Sequence, residues 1–327
     1  MFDLNILFSA AGRRVSLLRH FKKTTSAMGI RGNIYAADSG KSAPAGFIAD
    51  QYLNVPRASS PDYIPELLSI CKKYEIKLLF SLIDTDLELL SKHKEDFEII
   101  GTKVLVCNTE TNEICFNKQK TWEFFVNNKI DTPHLYSKDE INQLGEKEFP
   151  LLVKPWDGSC SLGVHIVHNH KELEFFSQYV KNAIVQEYLE GDEYTCDAYV
   201  DFEGKVRCVV PRKRLETRGG EVSKGLTVND PEIITAVTDV VSKLPNAVGC
   251  ITVQCFKQES GRISFIEINP RFGGGHPLSL HAGADFPRWI IQEFCGLKCE
   301  ASQNSWKHDL AMLRYDDEII TEGVNIQ

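Results

Sequence analysis

The most informative stretch of this sequence is residues 265–276, which read Phe-Ile-Glu-Ile-Asn-Pro-Arg-Phe-Gly-Gly-Gly-His. Its first residues include an aromatic and two β-branched side chains, a composition typical of a strand. Pro270 is expected to end that strand, because proline has no N–H for the ladder. Side chains alternate between the two faces of a strand, so Ile266 and Ile268 are predicted to face a hydrophobic core.

The opposite face of this strand is predicted to carry Glu267, Asn269 and Arg271. A carboxylate and a carboxamide supply the hard oxygen ligands that Mg²⁺ takes, together with water and phosphate oxygens. An adjacent arginine neutralises negative charge that develops on a transferred phosphoryl group. The pattern therefore predicts a phosphoryl-transfer site, although a strand whose polar face is merely solvated explains the same three residues.

The composition bounds the class of protein. The chain has 327 residues, of which 43% are hydrophobic and 25% are charged, as expected for about two globular domains. Its net charge of −8 argues against binding to nucleic acid, which requires a basic surface. No apolar run is long enough to span a membrane, so we expect a cytoplasmic protein. The ten cysteines include no Cys-x-x-Cys pair and are expected to be reduced, mostly buried thiols.

The first hundred residues alternate between apolar strand patterns and amphipathic helix patterns. Strands are predicted at residues 4–9, 34–37, 77–83 and 104–107, and helices at residues 15–21, 64–73 and 87–92. This alternation is typical of a parallel α/β sheet, in which ligands bind at the carboxyl ends of the strands. Those ends carry charged residues that would line a substrate site, although solvated loops explain them equally well: Arg13, Arg14, Asp38, Asp84 and Asp86.

A second region begins near Asn117, where a helix pattern follows and a later strand ends at Lys154. Residues 157–164 then form a loop rich in glycine and serine, whose backbone N–H groups can approach phosphates closely. An ordinary hairpin between two strands has the same composition. Further along, amphipathic helices are predicted at residues 231–244 and 285–295.

Taken in order, these motifs resemble the ATP-grasp superfamily, and most closely the synthetase domains of the carbamoyl-phosphate synthase large subunit and related carboxylate–amine ligases. The resemblance covers residues 4–300. It implies an α/β and α+β fold, with an N-terminal Rossmann-like (pre-ATP-grasp) domain at residues 1–110 and a two-lobed ATP-grasp domain at residues 111–315. The N-terminal lobe would comprise residues 111–187, the C-terminal lobe residues 188–315, and the tail residues 316–327.

The resemblance also implies which residues bind ATP and carry out its chemistry. Lys118 and Lys154 would contact the phosphates, and Glu193 the ribose hydroxyls. The phosphate loop would contribute Ser159, Ser161 and Gly163, and the adenine hinge Glu187, Tyr188 and Leu189. The implied ligands of Mg²⁺, with Mn²⁺ as an alternative ion, are Gln254, Glu267 and Asn269, and the implied catalytic residues are Arg271, Lys154 and Arg218.

Gln254 departs from the pattern of many ATP-grasp enzymes. A turn at residues 259–262 would pair its strand with that of Glu267 and set the two side chains beside each other. Many enzymes of the superfamily have glutamate at this position, whereas the domains that resemble carbamoyl-phosphate synthase have glutamine. Glutamine lowers the negative charge of the site by one, and we expect it to weaken one of two Mg²⁺ ions.

Residues 209–221 contain four basic side chains next to Gly219 and Gly220. This composition predicts a mobile loop that clamps phosphate or a substrate carboxylate, with Arg218 as the favoured functional residue. A solvated surface loop is the alternative and is preferred for Lys213. The histidines that follow, at positions 276 and 281, are expected to be structural rather than substrate contacts.

The reaction implied by the resemblance is phosphorylation of a carboxylate by ATP, followed by attack of an amine on the acyl phosphate. The partners would be a small-molecule carboxylate and an amine, neither nucleic acid nor a membrane is expected, and a homodimer is the family-level expectation. Two other functions stay open at this point: phosphorylation of bicarbonate or carbamate, which Gln254 suggests, and ATP binding without turnover.

Overall fold

The first part of the chain is a parallel α/β layer. The computed structural model describes residues 3–158 and 162–323. Five strands pair side by side in this part: β1 (Asn5–Ser9), β2 (Ile34–Asp38), β3 (Gln51–Asn54), β4 (Ile76–Ser81) and β5 (Lys103–Val104). Their order in the sheet is β3-β2-β1-β4-β5, and all are parallel. The connecting helices are α1 (Val15–Ala27), α2 (Tyr63–Lys73), α3 (Leu87–Lys92) and α4 (Lys94–Ile99). The predicted parallel α/β domain is confirmed.

The sequence pattern did not predict β3 and α4. Strand β3 lies at the edge of the sheet, and its side chains do not alternate between buried and exposed, because all four residues are half-buried or exposed. Its pairing with β2, from Tyr35 opposite Gln51 onward, is therefore set by the neighbouring strand rather than by its own composition. Helix α4 has six residues, too few for a periodic pattern to be read.

Two helices lead from this layer into the rest of the chain. They are α5 (Thr109–Phe116) and α6 (Lys118–Asn127). Asn108 and Asn117 cap their N-termini, each accepting hydrogen bonds from backbone N–H groups of the first turn. Helix α6 packs on the strand that contains Phe265, because the ring of Phe125 lies 6.0 Å from that ring.

A small antiparallel sheet follows. Its strands are β6 (Leu135–Tyr136), β7 (Leu151–Pro155), β8 (His165–Val167) and β9 (Ala183–Glu187), in the order β6-β9-β7-β8. Two helices accompany it, α7 (Lys138–Ile141) and α8 (His170–Tyr179). Leu151 and Val153 of β7 pack with Leu173 of α8 in a separate small core.

The largest sheet is antiparallel and has six strands. They are β10 (Asp192–Val200), β11 (Val206–Arg218), β12 (Glu221–Thr227), β13 (Gly249–Lys257), β14 (Ile263–Asn269) and β15 (Ala311–Leu313). Their order is β14-β13-β10-β11-β12-β15. The helices of this part are α9 (Pro231–Ser242), α10 (Pro277–Ala282) and α11 (Phe286–Phe294). The two amphipathic helices predicted at residues 231–244 and 285–295 are confirmed.

None of these helices suits a membrane crossing. The longest described one, α1, has 13 residues. Within residues 3–158 and 162–323, no helix combines the length and the hydropathy that crossing a bilayer requires.

Residues 209–221 do not form the predicted mobile loop. Most of them belong to β11, and Arg218 and Glu221 pair across a two-residue hairpin turn. Gly219 and Gly220 both have positive φ, 58° and 77°, as such a turn requires. The loop prediction was wrong because three of the four basic side chains, those of residues 212–214, pair with acids on the adjacent strand β10, which the linear pattern does not reveal.

Arg212 is the clearest case of this matching. It is 1% exposed and binds both carboxylate oxygens of Asp197 on β10, at 2.8 and 3.0 Å. His276 and Ser279 complete the shell of that carboxylate, at 3.1 and 2.6 Å. His276 is fully buried, so the prediction that it is structural is confirmed.

A bulge interrupts the predicted alternation along β14. Gln254 lies opposite Glu267, but the next residue, Cys255, lies opposite Phe265, so Ile266 is an extra residue in the strand. Ile268 is fully buried as predicted, whereas Ile266 is only half-buried and faces a pocket. The prediction for Ile266 was wrong because strict alternation assumes an unbulged strand.

One hydrophobic core joins the parallel layer to the six-stranded sheet. Phe272, just after β14, packs its ring 5.9 Å from Phe21 and 6.1 Å from Phe80 of the first layer. The same cluster contains Tyr199 of β10 and Trp289 of α11. The described cysteines are free thiols, and seven of them are buried, so the prediction of reduced, mostly buried cysteines is confirmed.

We expect Arg212→Met to lower the free energy of unfolding by about 3–5 kcal/mol, because it leaves the Asp197 carboxylate buried without its cation. Urea unfolding followed by circular dichroism measures the loss. Lys213→Met is the matched control: its partner Asp192 lies at 2.6 Å, but the two side chains are 31% and 52% exposed. Such a pair contributes about 0–1 kcal/mol. Equal stability of the two variants would contradict the assigned importance of the buried pair.

Candidate functional site

Three oxygen-bearing side chains lie in a row on β13 and β14. Gln254 and Glu267 are directly opposite each other, so the predicted pairing of these positions is confirmed. Asn269, two residues further along β14, faces the same side of the sheet. Its side-chain oxygen accepts a hydrogen bond from Arg271 at 3.1 Å, which leaves a second lone pair for another partner. A carboxylate and two carboxamide oxygens form a donor set that fits Mg²⁺.

Lys118 and Lys154 line one pocket with Ile266 of β14, and Lys154 also interacts with the charge of Glu267. Lys154 lies near the end of β7, and Lys118 is the first residue of α6. The Lys118 backbone N–H donates to the Trp156 carbonyl at 3.1 Å, and its ammonium donates to the Gly158 carbonyl. A positive charge in the first turn is unfavourable next to the positive end of the helix dipole. The ammonium and that end of the dipole nevertheless both attract an anion. Asn117 and Trp156 already accept from the N–H groups of the first turn, so the Lys118 ammonium is the group of α6 that can attract a phosphate.

The pKa of Lys154 depends on charged residues of the other elements. Its side chain is 8% exposed. Burial, reinforced by the charge of Lys118, lowers the pKa of Lys154 to about 8, while Glu267 opposes the shift. An ammonium held in such an environment gains most from an anionic partner that enters the site.

Apolar side chains line a pocket next to the two lysines. Trp122 and Phe125 of α6, Ile184 of β9 and the bulged Ile266 of β14 form its walls. The buried Gln186 lies at the same pocket. The space between these side chains is too small to admit a water molecule, so a base attached to phosphates would fit only after they move apart.

The predicted hinge connects the two antiparallel sheets. Residues 188–191 lie between β9 and β10, and Leu189 is buried. The Glu187 carboxylate accepts hydrogen bonds from the Arg262 guanidinium at 2.8 Å and from the His134 backbone N–H at 3.0 Å. The side chain of Glu187 thus holds the hinge in place.

Glu193 is the second residue of β10, the strand that follows the hinge. It forms an ion pair with Arg214 of β11 at 3.2 Å. Burial raises the pKa of Glu193, Arg214 opposes this, and Glu267 adds to the rise. Glu193 and Glu267 therefore lie close enough to repel each other, which a cation or a hydrogen-bond donor between them would relieve.

Arg271 connects the row to the parallel layer. Its guanidinium donates to Asp84, in the loop after β4, at 2.6 Å and to Asn269 at 3.1 Å. Its Nε and the second Asp84 oxygen, Oδ1, are buried and have no hydrogen-bond partner among the described residues. Unpaired buried polar atoms next to a paired guanidinium mark a place where a polar ligand can bind.

The three glycines after Phe272 make room for arginine side chains. A Cβ on Gly274 would lie 2.6 Å from Arg14 and 2.8 Å from Glu221, and one on Gly275 would overlap Arg212. Arg14 and Glu221 form an ion pair at 3.4 Å. The glycine run therefore admits these side chains close to the backbone.

One predicted residue, Arg218, is not part of this assembly. Arg218 lies at the exposed end of β11, where it pairs with Asp316 at 3.1 Å while both side chains are about 80% exposed, at 79% and 82%. Ser159 and Ser161 lie outside the described residues. Gly163 is described and has a positive φ of 71°. The functional roles of these four residues stay predictions.

Another cluster of possible metal ligands has a different role. Asp197, Cys250 and His276 bring their ligand atoms within 4.8 Å of one another in the described structure. The guanidinium of Arg212 already binds the Asp197 carboxylate. A cation there would face a fixed positive charge, so this cluster is a structural network.

Family models match the chain in two parts. A model described as the PylC-like N-terminal domain matches residues 6–105, and one described as the ATP-grasp domain matches residues 115–275. The chain belongs to the ATP-grasp superfamily. The predicted α/β first domain, the ATP-grasp domain that follows it and the enzyme class, an ATP-grasp ligase, are confirmed.

Relatives with curated names and solved structures agree with this membership. D-alanine–D-alanine ligase A of Bacillus cereus is 25% identical over 210 residues, which are 59% of this chain and 68% of that protein. The biotin carboxylase domain dimer of Hydrogenobacter thermophilus 2-oxoglutarate carboxylase superposes with a TM-score of 0.74 at 17% identity, covering 95% and 74% of the chains. The L-amino acid ligase of Bacillus licheniformis superposes with a TM-score of 0.66 at 19% identity, covering 90% of this chain and 74% of that one.

Nucleotide affinity should fall as the pH rises through about 8, the pKa of Lys154. Below that pH the lysine is a cation that attracts phosphate, and above it the charge is lost, so well above pH 8 the loss approaches about tenfold per pH unit. Calorimetric titration with MgADP at pH 7, 8 and 9 measures the nucleotide affinity at each pH. Lys154→Arg, which stays charged, should flatten the profile, whereas a flat profile in the unsubstituted protein would count against this role of Lys154.

Proposed function

We propose that this ATP-grasp enzyme transfers the γ-phosphoryl group of ATP to a small-molecule carboxylate and couples the resulting acyl phosphate to an amine. The observation that carries the proposal is the row of Gln254, Glu267 and Asn269 facing Lys154. Cationic groups and oxygen ligands around one space are what phosphoryl transfer needs, since its catalysis consists of positioning and charge neutralisation.

The phosphates lie between the two lobes in this proposal. Lys118 and Lys154 hold the β- and γ-phosphates, and Arg271 neutralises the charge that moves onto the transferred group. The apolar pocket beside the lysines holds adenine, the backbone of the hinge at residues 187–189 reads its edge, and Glu193 takes the ribose hydroxyls. Removing one of the cationic donors to the transferred phosphoryl group, such as Lys154 or Arg271, costs about 2.7–4 kcal/mol of transition-state stabilisation.

Glu267 and Asn269 would hold Mg²⁺, with Gln254 as the weaker third ligand. When bound, the ion neutralises phosphate charge and orients the γ-phosphoryl group. The same oxygen donors suit Mn²⁺, which we propose as a substitute ion. The Asp84–Arg271 pair keeps the guanidinium beside Asn269 and prevents it from turning away from the phosphoryl group.

The second half of the reaction needs no protein nucleophile. The amine nitrogen attacks the acyl carbon, so the carbon–nitrogen bond forms as the carbon–oxygen bond to phosphate breaks. Phosphate leaves with the electron pair and takes up the proton that the nitrogen loses. Exclusion of water matters because acyl phosphates hydrolyse readily. We propose that residues 157–164 serve as the phosphate loop and that Arg218 contributes when the β11–β12 hairpin approaches the site.

The organisation of the chain is part of the proposal. We assign residues 1–110 to the first domain, 111–315 to the ATP-grasp domain and 316–327 to a tail. The lobes of the ATP-grasp domain meet at the hinge, at residues 187 and 188. One structural neighbour is named as a domain dimer, and we propose a homodimer for this chain as well.

A bicarbonate or carbamate acceptor is the second candidate, and Gln254 is the observation that favours it. Its uncharged side chain opposite Glu267 matches the predicted resemblance to carbamoyl-phosphate synthase. A small acceptor of this kind would use the same phosphate site and the same arginine.

A screen of ADP release over pairs of carboxylic acids and amines tests both candidates. Amino acids belong in both arms, because the names of two relatives denote amino acid ligases. Bicarbonate with ammonia forms a separate arm. ADP release that needs both an organic acid and an amine supports the proposed ligase, and release with bicarbonate supports the alternative. Absence of release from every pair would contradict the proposal.

We expect Glu267→Gln to lower ATP turnover by about 10²–10³-fold, because it removes the only carboxylate of the proposed metal row. Its shape is conserved, so the melting temperature should change little. Coupled ADP-release assays at saturating Mg²⁺ measure turnover, and differential scanning fluorimetry verifies the fold. Turnover within a few-fold of the unsubstituted enzyme would contradict the metal assignment.

Gln254→Glu should lower the Mg²⁺ concentration needed for half-maximal turnover, since it adds a carboxylate directly opposite Glu267. Gln254→Ala should raise that concentration. The measurement is a Mg²⁺ titration of ADP release at fixed ATP. If both substitutions shift the titration in the same direction, Gln254 is not a ligand.

A further inference from the structure

The polar face of the six-stranded sheet continues beyond the row of Gln254, Glu267 and Asn269. Thr195 of β10 lies directly opposite Gln254 of β13, and Gln254 lies directly opposite Glu267 of β14. Side chains that face each other on neighbouring strands have Cβ atoms about 4.5–5.5 Å apart, so these three form one line across three strands. Thr195 is 5% exposed. The line therefore ends in a buried hydroxyl group on β10.

Arg214 of β11 covers the Thr195 end of this line. Its Nη1 donates to the Thr195 hydroxyl at 3.2 Å, and its Nη2 donates to the Gly220 carbonyl at 2.9 Å. Its Nε lies 3.2 Å from a carboxylate oxygen of Glu193. Because Glu193 and Thr195 are two positions apart on β10, they face the same side of the sheet. The guanidinium therefore spans the gap between Glu193 and the oxygen row.

This guanidinium is buried without a full set of partners. The Arg214 side chain is 9% exposed, and its Nε has no hydrogen-bond partner among the described residues despite the short distance to Glu193. Its other bonds go to a hydroxyl and a carbonyl, which are neutral acceptors. An unpaired buried donor is unfavourable, and a hydrogen bond to an anion is stronger than one to a neutral acceptor. Arg214 therefore gains from an anionic ligand.

Arg212 shows how an arginine of the same strand is satisfied structurally. It lies two positions before Arg214 and binds both oxygens of the Asp197 carboxylate, at 2.8 and 3.0 Å. Both Arg212 and Asp197 are fully buried. The acid beside Arg214, in contrast, is 27% exposed and does not accept a hydrogen bond from its Nε. Arg214 is thus the arginine of β11 that is left with bonding capacity on the polar face.

The charges on this face leave one carboxylate in the row for a metal ion. Burial raises the pKa of Glu193, Arg214 opposes that rise and Glu267 adds to it, so both charges act on the Glu193 carboxylate. Gln254 is uncharged, which makes Glu267 the carboxylate of the row. Mg²⁺ is ordinarily held by one or two carboxylates together with phosphate oxygens and water. A second ion beside Gln254 would have a neutral ligand and would be repelled by a nearby guanidinium.

We propose that Arg214 binds the phosphates of the nucleotide at the place where a second metal ion would otherwise lie, so that the enzyme holds one Mg²⁺ per nucleotide. This inference rests on the proposed function, in which Glu193 takes the ribose hydroxyls and the oxygen row faces the γ-phosphoryl group. Arg214 lies between these two ends, beside the α- and β-phosphates. Its planar guanidinium binds two phosphate oxygens at once, as a bridging metal ion does.

Arg214 approaches the phosphates from a direction that the other cations leave open. Lys118 and Lys154 belong to α6 and β7, and Arg271 follows the end of β14. Strands β11 and β14 lie on opposite sides of β10 and β13, so Arg214 and Arg271 flank the row from its two ends. Positive charge on both sides neutralises phosphate charge along the length of the nucleotide, which is what phosphoryl transfer requires.

Nucleotide binding without turnover is the first test. Arg214→Gln should lower the affinity for MgADP at least about tenfold, because it removes charge-assisted hydrogen bonds. The affinity for adenosine, which has no phosphate, should be unchanged. Calorimetric titration measures MgADP, and competition with MgADP measures adenosine. A smaller loss of MgADP affinity, or an equal loss of adenosine affinity, would overturn the proposal.

Two further variants control this measurement. Lys213→Gln is matched to Arg214→Gln, because Lys213 is the preceding residue of β11, faces the other side of the sheet and pairs with the half-exposed Asp192. It should change neither affinity. Arg214→Lys keeps the charge without the planar fork and should lose less MgADP affinity than Arg214→Gln. Equal losses in Arg214→Lys and Arg214→Gln would contradict a role for the charge.

The second test counts metal ions. Mn²⁺ is the probe, because electron paramagnetic resonance measures its unbound form, and adenylyl imidodiphosphate is the nucleotide, because its terminal group is not transferred. The unsubstituted protein should bind one Mn²⁺ per nucleotide, and so should Gln254→Glu, in which Arg214 is present. The double variant with Arg214→Gln and Gln254→Glu should bind two. Two ions in the unsubstituted protein, or one in the double variant, would overturn the replacement of an ion by Arg214.

Both tests are independent of the acceptor. Neither MgADP nor adenylyl imidodiphosphate phosphorylates a carboxylate, so nucleotide binding is measured apart from the ligase reaction. Failure of the proposed function appears in the ADP-release screen, as absence of release from every pair of acid and amine. Failure of this inference appears as unchanged MgADP binding by Arg214→Gln, whatever the screen gives. The two failures are therefore distinguishable.

Discussion

The attachment of residues 271 and 272 to the first domain is the constraint on which the site depends. Arg271 binds Asp84 at 2.6 Å, and Phe272 packs against Phe21 and Phe80. A directional ion pair and an aromatic contact on consecutive residues leave little freedom for the end of β14. The oxygen row on that strand is thereby held at one position relative to the parallel sheet.

Buried charge is used in two different ways in this protein. Arg212 and Asp197 pair inside the six-stranded sheet, where His276 and Ser279 also bind the carboxylate. Arg212 Nη1 and His276 Nε2 have no hydrogen-bond partner among the described residues. Lys154 is buried with another cation, Lys118, near enough to lower its pKa further. A buried cation that is paired with a carboxylate cannot lose that partner without destabilising the fold, whereas a cation held next to a like charge is stabilised by an incoming anion. This difference separates structural from functional charges.

Much of the fold and part of the site could be predicted from the sequence. Alternating strands and helices predicted the parallel sheet, and the turn at 259–262 predicted that Gln254 would face Glu267. Local patterns failed where a residue's surroundings come from another part of the chain. The basic residues of β11 resemble a loop until Asp197 and Glu193 are placed beside them, and Ile266 is core-facing until the bulge is known. The pairing of Asp84 with Arg271 could not be predicted, since the two residues are 187 positions apart in the chain.

The sequence by itself determined the class of the protein: the order of its lysines, glycine-rich loop and Glu-x-Asn-x-Arg strand end is enough to predict an ATP-grasp enzyme. The tertiary structure alone decided which charged residues belong to one site. Strand periodicity acts over a few residues and can be read locally, but ion pairs and cavities arise between segments that only folding brings together. For that reason Arg212 is a structural residue and Arg218 lies at an exposed hairpin.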